Sequence, residues 1–341
     1  MENQPALGTQ PRGRATRRRS LLERLSDSFY SPQAGLRAPQ ERPETFYQTV
    51  SLDLADEPRA EERLPDASGG LFAGRYYLRN ELGCGGMGRV YRAQDADLGD
   101  ETIAIKILHP QYSRDSRFRS RFIREVKLMR TITSVHIVRT FDVGMSGDDL
   151  FLTMEYVEGV SLAKLMYERD LTVQQKIQIA RAICVGLVSI HEKNIIHRDI
   201  KPANILVESS GGIKIADFGL ARPLSSELTM ANEIMGSLSY VAPELVIGHT
   251  PTLAVDLYSF GVVLYELFTG RVPFETPSFY ALMRMHVEQP PVAPSMLDTN
   301  LPENLSRLIM RLLEKDPLLR PSSVEEVFDE LSAEEDRVFA A

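Results

Sequence analysis

The chain has 341 residues, 43% of them hydrophobic and 25% charged, proportions that exclude a collagen-like, coiled-coil or wholly disordered chain. Forty-seven acidic against 39 basic side chains give a net charge of −8, the wrong sign for a protein whose main task is coating nucleic acid. Two cysteines cannot build a disulfide framework and fit a reducing compartment. No run approaches the roughly 18 apolar residues that span a bilayer. Arg17-Arg18-Arg19 is followed by Glu23, Arg24 and Asp27, which interrupt the apolar stretch a secretory or twin-arginine signal needs. The expectation is a cytoplasmic protein without a transmembrane segment.

Residues 1–72 read as a disordered or weakly structured extension. They are rich in Arg, Glu, Pro, Gln and Ser and show no sustained period, so they cannot bury enough apolar surface to offset chain entropy. Six arginines between residues 12 and 24 give way to an acidic stretch from Asp53 to Asp66. A short amphipathic helix near Ser20–Phe29 and a docking role are the sharper readings, and a solvated tail is the plain one.

Order begins near Tyr76. Tyr76–Leu82, Arg89–Ala93 and Thr102–Leu108 read as strands. Phe118, Phe122, Val126 and Met129 recur at helical spacing. Ile137–Val143 and Leu150–Tyr156 read as two further strands. Beyond Ser161 the pattern turns helical, with helices over Val173–Lys193, Ala254–Thr269, Glu303–Glu314 and Val324–Leu331, and prolines from Pro273 to Pro302 punctuate the loops. The division is a β-rich lobe at 73–157, a helical lobe at 158–334 and a tail at 335–341. A cleft between lobes is a usual ligand site.

Four motifs carry chemistry. Gly83-Cys84-Gly85-Gly86-Met87-Gly88-Arg89-Val90 lets backbone approach a phosphate with no Cβ in the way. Strand alternation rather than a helix follows it, which favours a hairpin over a dinucleotide site. Ile103-Ala104-Ile105-Lys106 ends an apolar strand on a cation that needs an anionic partner, with Glu125 available to hold it. His197-Arg198-Asp199-Ile200-Lys201-Pro202-Ala203-Asn204 offers a carboxylate to accept a hydroxyl proton, a cation and an amide oxygen. Asp217-Phe218-Gly219 supplies a hard oxygen ligand suited to Mg²⁺. Each alone is as readily structural: a glycine-rich hairpin, a snorkelling lysine, a packed histidine.

Together with Ala242-Pro243-Glu244, in this order, the set resembles the eukaryotic-type (Hanks-type) protein kinases over about residues 76–334. The phrase Leu82-Gly83-Cys84-Gly85-Gly86-Met87-Gly88 and the segment Arg121–Glu125 are similar to the bacterial Ser/Thr subgroup. The resemblance implies an α+β bilobal kinase fold with a small β-rich N-lobe carrying one main helix and a larger helical C-lobe. It implies ATP with Mg²⁺, or Mn²⁺ in its place, as cofactors. Leu82 to Gly88, Val90, Ala104 and Leu206 would enclose the nucleotide. Lys106 would hold its phosphates and pair with Glu125. Glu155 to Val157 would form the hinge, with Met154 as gatekeeper. Asp199 would be the base, Lys201 its cationic companion, and Asn204 and Asp217 the metal ligands. Asp256 would brace the catalytic loop, Glu244 would pair with Arg320, and Met129, His197 and Phe218 would form an apolar spine.

Lys201-Pro202-Ala203 implies Ser/Thr rather than Tyr substrates. Gly236-Ser237 stands where Gly-Thr is usual and keeps the hydroxyl. Ser134-Val135-His136 replaces the common His-Pro-Asn at a packing position. Ala203 and Ser161 stand where Arg-directed kinases carry glutamates, so basic-directed substrate choice is not implied. Arg198 could pair with a phosphate on Ser225, Ser226, Thr229, Ser237 or Ser239, Thr229 first. The partners expected are protein substrates with Ser/Thr acceptors, a phosphothreonine-binding protein and a transient kinase dimer, with no nucleic acid. A nucleotide-binding pseudokinase scaffold and a small-molecule phosphotransferase are the alternatives; the first lacks the broken residue set it requires, and the APE segment with Arg320 disfavours the second.

Overall fold

Period-two burial builds the first lobe. The computed structural model describes residues 70–218, 236 and 238–340. Residues 1–69, Ser225, Ser226, Thr229 and Ser237 lie outside the described residues. Strands β1 (Tyr76–Gly85), β2 (Gly88–Asp95), β3 (Glu101–Leu108), β4 (Thr140–Ser146) and β5 (Asp149–Glu155) form an antiparallel sheet in the order β1-β2-β3-β5-β4. On β3, Ile103, Ile105 and Ile107 join a cluster with Phe72, Tyr76, Tyr91 and Phe151. Ala104 and Leu108 face the opposite cluster with Phe118, Phe122 and Val126. Both faces of β3 are therefore covered, and it reads as a continuous apolar run with Lys106 as its one charged member after Glu101.

Helix α1 (Pro110–Arg114) was not expected from the sequence; Pro110 at its first turn starts it. Helix α2 (Ser116–Met129) is capped by Asp115, whose side chain accepts from the amides of Arg117 at 2.8 Å and Phe118 at 3.3 Å. Its buried residues are the four that recur at helical spacing, Phe118, Phe122, Val126 and Met129. The expected strand over Ile137–Val143 begins only at Thr140. Ile137 instead makes a parallel bridge to Ile215, and the Val138 amide donates to the Ile215 carbonyl.

In the second lobe β6 (Gly159–Ser161), β7 (Ile205–Glu208) and β8 (Ile213–Ile215) form a small sheet in that order. Helix α3 (Leu162–Glu168) is capped by Ser161. Helix α4 (Val173–His191) opens with a reciprocal Thr172–Gln175 capping box. Helix α5 (Pro243–Val246) precedes α6 (Ala254–Thr269), which is buried along nearly its whole length and forms the centre of the lobe. Helix α7 (Phe279–Glu288), α8 (Glu303–Leu312) and α9 (Val324–Ala340) follow.

Two differences from the sequence reading have clear causes. The proline-flanked segment 277–291 contains α7, which Ser278 caps. The last helix runs on to Ala340 where a tail was expected. Glu334 and Glu335 break its apolar period, yet both are buried: Glu334 accepts from Asn304 and Arg337, and Glu335 pairs with Arg181. Among the described residues no helix is long and apolar enough to cross a membrane. The architecture is the expected α+β bilobal one.

Candidate active site

Strand β3 sets Lys106 opposite Val90 of β2 and Leu152 of β5, and Ala104 opposite Met154. The Lys106 ammonium donates to Asp217 Oδ1 at 2.6 Å. This corrects the expected Lys106–Glu125 pair. Phe122 and Met129 of α2 line the cavity beside Lys106 and Asp217, while Glu125 has Arg121 and Arg198 as its charged neighbours. Burial raises the Glu125 pKa against the pull of both guanidinium groups, and its buried Oε2 has no hydrogen-bond partner among the described residues. In this arrangement Asp217 supplies the counter-charge that an enclosed ammonium requires.

The glycine-rich segment forms the end of the β1–β2 hairpin. Its ladder continues through Gly83–Val90, Cys84–Arg89 and Gly85–Gly88, so β1 reaches three residues past Leu82, with Gly86 and Met87 at the turn. A Cβ on Gly88 would lie 2.1 Å from the Ile107 carbonyl oxygen, so only glycine permits this approach of β2 to β3. Leu82 and Cys84 are exposed. Met87 is turned inward against the cluster that contains Leu108 and Phe122. The same cluster holds Val90, Ala104, Met154 and Val157 of the first lobe together with Leu206 and Ala216 of the second. These side chains form an apolar wall shared between the two lobes. The Glu155 side chain is occupied by Lys214 at 2.9 Å and by the Arg139 amide at 3.1 Å, and its own amide donates to the Arg139 carbonyl at 2.9 Å.

The loop between α4 and β7 is held from α6. Asp256, fully buried, accepts from the His197 amide at 2.8 Å and the Arg198 amide at 2.9 Å. His191 Nε2 reaches the same carboxylate at 2.9 Å. Arg198 (φ +65) and Asp217 (φ +50) both adopt left-handed backbone, a conformation costing roughly 1–2 kcal/mol in a residue with a Cβ. Asp256 offsets this at Arg198 by satisfying two consecutive amides.

Within the loop Asp199 lies 3.1 Å from the Lys201 ammonium. The Asn204 amide nitrogen donates to both the backbone oxygen and Oδ2 of Asp199 at 2.8 Å, and lies 3.5 Å from the Asp217 carbonyl oxygen. The structure thus brings Asp199, Lys201, Asn204, Asp217 and Lys106 into one connected set. His197 is fully buried, and burial lowers its pKa. Its Nε2 donates to the Ala216 carbonyl and its Nδ1 accepts from the Asp199 amide, the partners of a neutral ring. The ring lies on Phe218 with centroids 4.7 Å apart, and Phe218 and Met129 line the cavity next to Lys106.

Arg320 and Glu244 form a buried two-pronged pair at 2.7 and 2.8 Å. Ser239, one of the hydroxyls considered as a phosphate acceptor, is enclosed at 2% exposure, so the described conformation shields it from a kinase. His136 ties its segment to β8 by bonding the Ile213 carbonyl at 2.8 Å, in keeping with a packing role. The sequence reading missed His191 and His109. The first ends α4 at a spacing that reveals nothing of Asp256. The second follows β3 and bonds the glycine-rich turn, with its ring Nε2 3.1 Å from the Gly85 carbonyl and its amide 2.9 Å from the Met87 carbonyl.

Residues 76–331 match the protein kinase domain family. The serine/threonine-protein kinase PrkC of Bacillus subtilis is 35% identical over 261 residues, which cover 76% of this chain and 40% of that protein. A probable serine/threonine-protein kinase of Clostridium acetobutylicum is 36% identical over 266 residues, covering 77% of this chain and 40% of the relative. The chain therefore spans about two fifths of the length of these relatives. The crystal structure of the Mycobacterium tuberculosis PknI kinase domain superposes with a TM-score of 0.63 at 29% identity, covering 79% of this chain and 99% of that one. On its matched domain, its fold and these relatives, the chain belongs to the eukaryotic-type protein kinase family, alongside bacterial serine/threonine kinases.

Proposed function

We propose that the chain transfers the γ-phosphoryl group of ATP to serine or threonine hydroxyls of protein substrates. The observation that carries this reading is the hydrogen-bonded set of Asp199, Lys201 and Asn204 beside Asp217 and Lys106. An Asp199 carboxylate oxygen accepts the proton as the substrate hydroxyl bonds to phosphorus and the bond to the bridging oxygen of ADP breaks. Lys201, on the same carboxylate, offsets negative charge on the group in transit. General-base assistance of this kind contributes about 10²–10⁴-fold, or roughly 3–5 kcal/mol. Positioning by Lys106 and the glycine-rich turn supplies a further part.

Asp217 and Asn204 fit a divalent ion of the Mg²⁺ class. Because the Asn204 nitrogen is spent on Asp199, its side-chain oxygen is left for a metal. A carboxylate and an amide oxygen are the hard donors such a cation would take, with water and phosphate as its other ligands. When bound, the ion neutralises charge on the phosphates. Mn²⁺ has the same ligand preference.

Lys201 supports Ser/Thr acceptors. Arg198 supports regulation by phosphorylation of the 219–237 segment, Thr229 first, with the chain itself as one of its substrates. A phosphothreonine-binding protein and a second copy of the kinase are the partners this regulation would engage, and a reducing, cytoplasmic setting fits the two cysteines. The test is transfer of radiolabelled phosphate from ATP to generic protein acceptors. Lys106→Met and Asp199→Asn are expected to lose at least about 10²-fold in rate. Wild-type rates from Lys106→Met would overturn the assignment. Nucleotide binding without transfer would favour a scaffold, and transfer only to small alcohols a small-molecule phosphotransferase.

A further inference from the structure

His109 makes contacts that neither the motifs nor the family match explains. It sits where β3 ends, three residues beyond Lys106. Its backbone amide donates to the Met87 carbonyl at 2.9 Å, and its ring Nε2 lies 3.1 Å from the Gly85 carbonyl. A carbonyl can only accept, so Nε2 carries the hydrogen. Two carbonyls of the glycine-rich turn are thus fastened to one residue of the neighbouring strand's end. The Met87 side chain packs against the cluster that contains Leu108 and Phe122 and lines the cavity that also contains Lys106, Asp217 and Phe218. That cavity has a volume of about 20 Å³, room for about one water molecule. Lys106 in that cavity is paired with Asp217.

Resting on the reading of this site as an ATP site, we propose that His109 is a latch. It holds the glycine-rich turn down against the end of β3, with Met87 as the plug beside Lys106. Phosphates entering beneath the turn displace Met87, so the turn must give up the His109 ring contact. His109 is a positioning residue: it touches the turn and not the reacting atoms.

The test titrates a fluorescent ATP analogue with Mg²⁺ into the full chain, alongside steady-state kinetics. His109→Ala is expected to bind the analogue about two- to tenfold more tightly, the range set by loss of one hydrogen bond. The larger kinetic change should fall on the KM for ATP rather than on kcat. His109→Gln keeps an N–H able to reach the Gly85 carbonyl and should stay near wild type. A second reading needs no variant: saturating analogue should shift the His109 ring NMR signals as Nε2–H leaves the Gly85 carbonyl. Equal or weaker binding by His109→Ala, or unchanged ring signals, overturns the latch. A wild-type chain that binds no analogue removes the ATP reading itself.

Discussion

Lys106 and Glu125 meet different partners from those that two short motifs imply. Lys106 bonds Asp217, and Glu125 keeps company with Arg121 and Arg198. The identities of Lys106, Asp199, Asn204 and Asp217 were legible because each sits in a short local pattern. The pairing was not, because it depends on how α2 lies against β3, which no local pattern encodes. The raised Glu125 pKa sets a sign. A carboxyl whose folded pKa exceeds its unfolded value stabilises the fold only while protonated, so its contribution declines as pH climbs from the ordinary glutamate range near 4.5. Glu125→Gln should therefore melt no lower than wild type at pH 8, with its relative advantage shrinking toward pH 4.5. Paired melts at the two pH values check this.

Among elements, the β2–β3 pair is the most tightly specified. The backbone of Gly88 lies so close to Ile107 that any side chain meets a carbonyl. Gly88→Ala should force these strands apart, cost about 1–3 kcal/mol in urea unfolding and weaken nucleotide binding together with it. Sequence patterning located β2, β3, α2, α4 and α6 because each has a strong period or a long apolar run. It missed α1, α3 and α5, which are short, and α7, which lies between prolines. It ended α9 early because the core contacts of its last turns come from paired carboxylates, Glu334 and Glu335, which a hydrophobic pattern cannot register.

At the scale of the whole molecule the lobes are joined by the Ile137–Ile215 bridge and by the cluster shared between Met154 and Leu206. The larger lobe is organised around α6 and the Arg320–Glu244 pair. Arg320 also donates to the Ala254 and Glu314 carbonyls and stacks its guanidinium on Tyr258, so the buried charges are fully engaged. Nearby, His286 is fully enclosed, with Tyr258 2.9 Å from its Nδ1. Burial, aided by the Lys315 charge, lowers its pKa to about 3. The unfolded chain then binds a proton that the folded chain refuses. Stability is complete above about pH 6.5 and drains as pH falls toward 3, by roughly 2 kcal/mol at pH 5. His286→Gln, whose side-chain oxygen can accept from Tyr258, should flatten this slope between pH 7 and 5. Buried His136 and His197 remain in both proteins, so the difference in urea midpoints isolates His286.

The two cysteines differ in a way an experimenter can exploit. Cys184 is sealed inside α4, where burial pushes its thiol pKa far up, while Cys84 lies open on the glycine-rich turn. A thiol-directed dye applied to the native protein would attach at a single place. That place is the segment whose rise and fall the latch controls, so the unaltered sequence already provides the anchor for an optical gauge of its own opening.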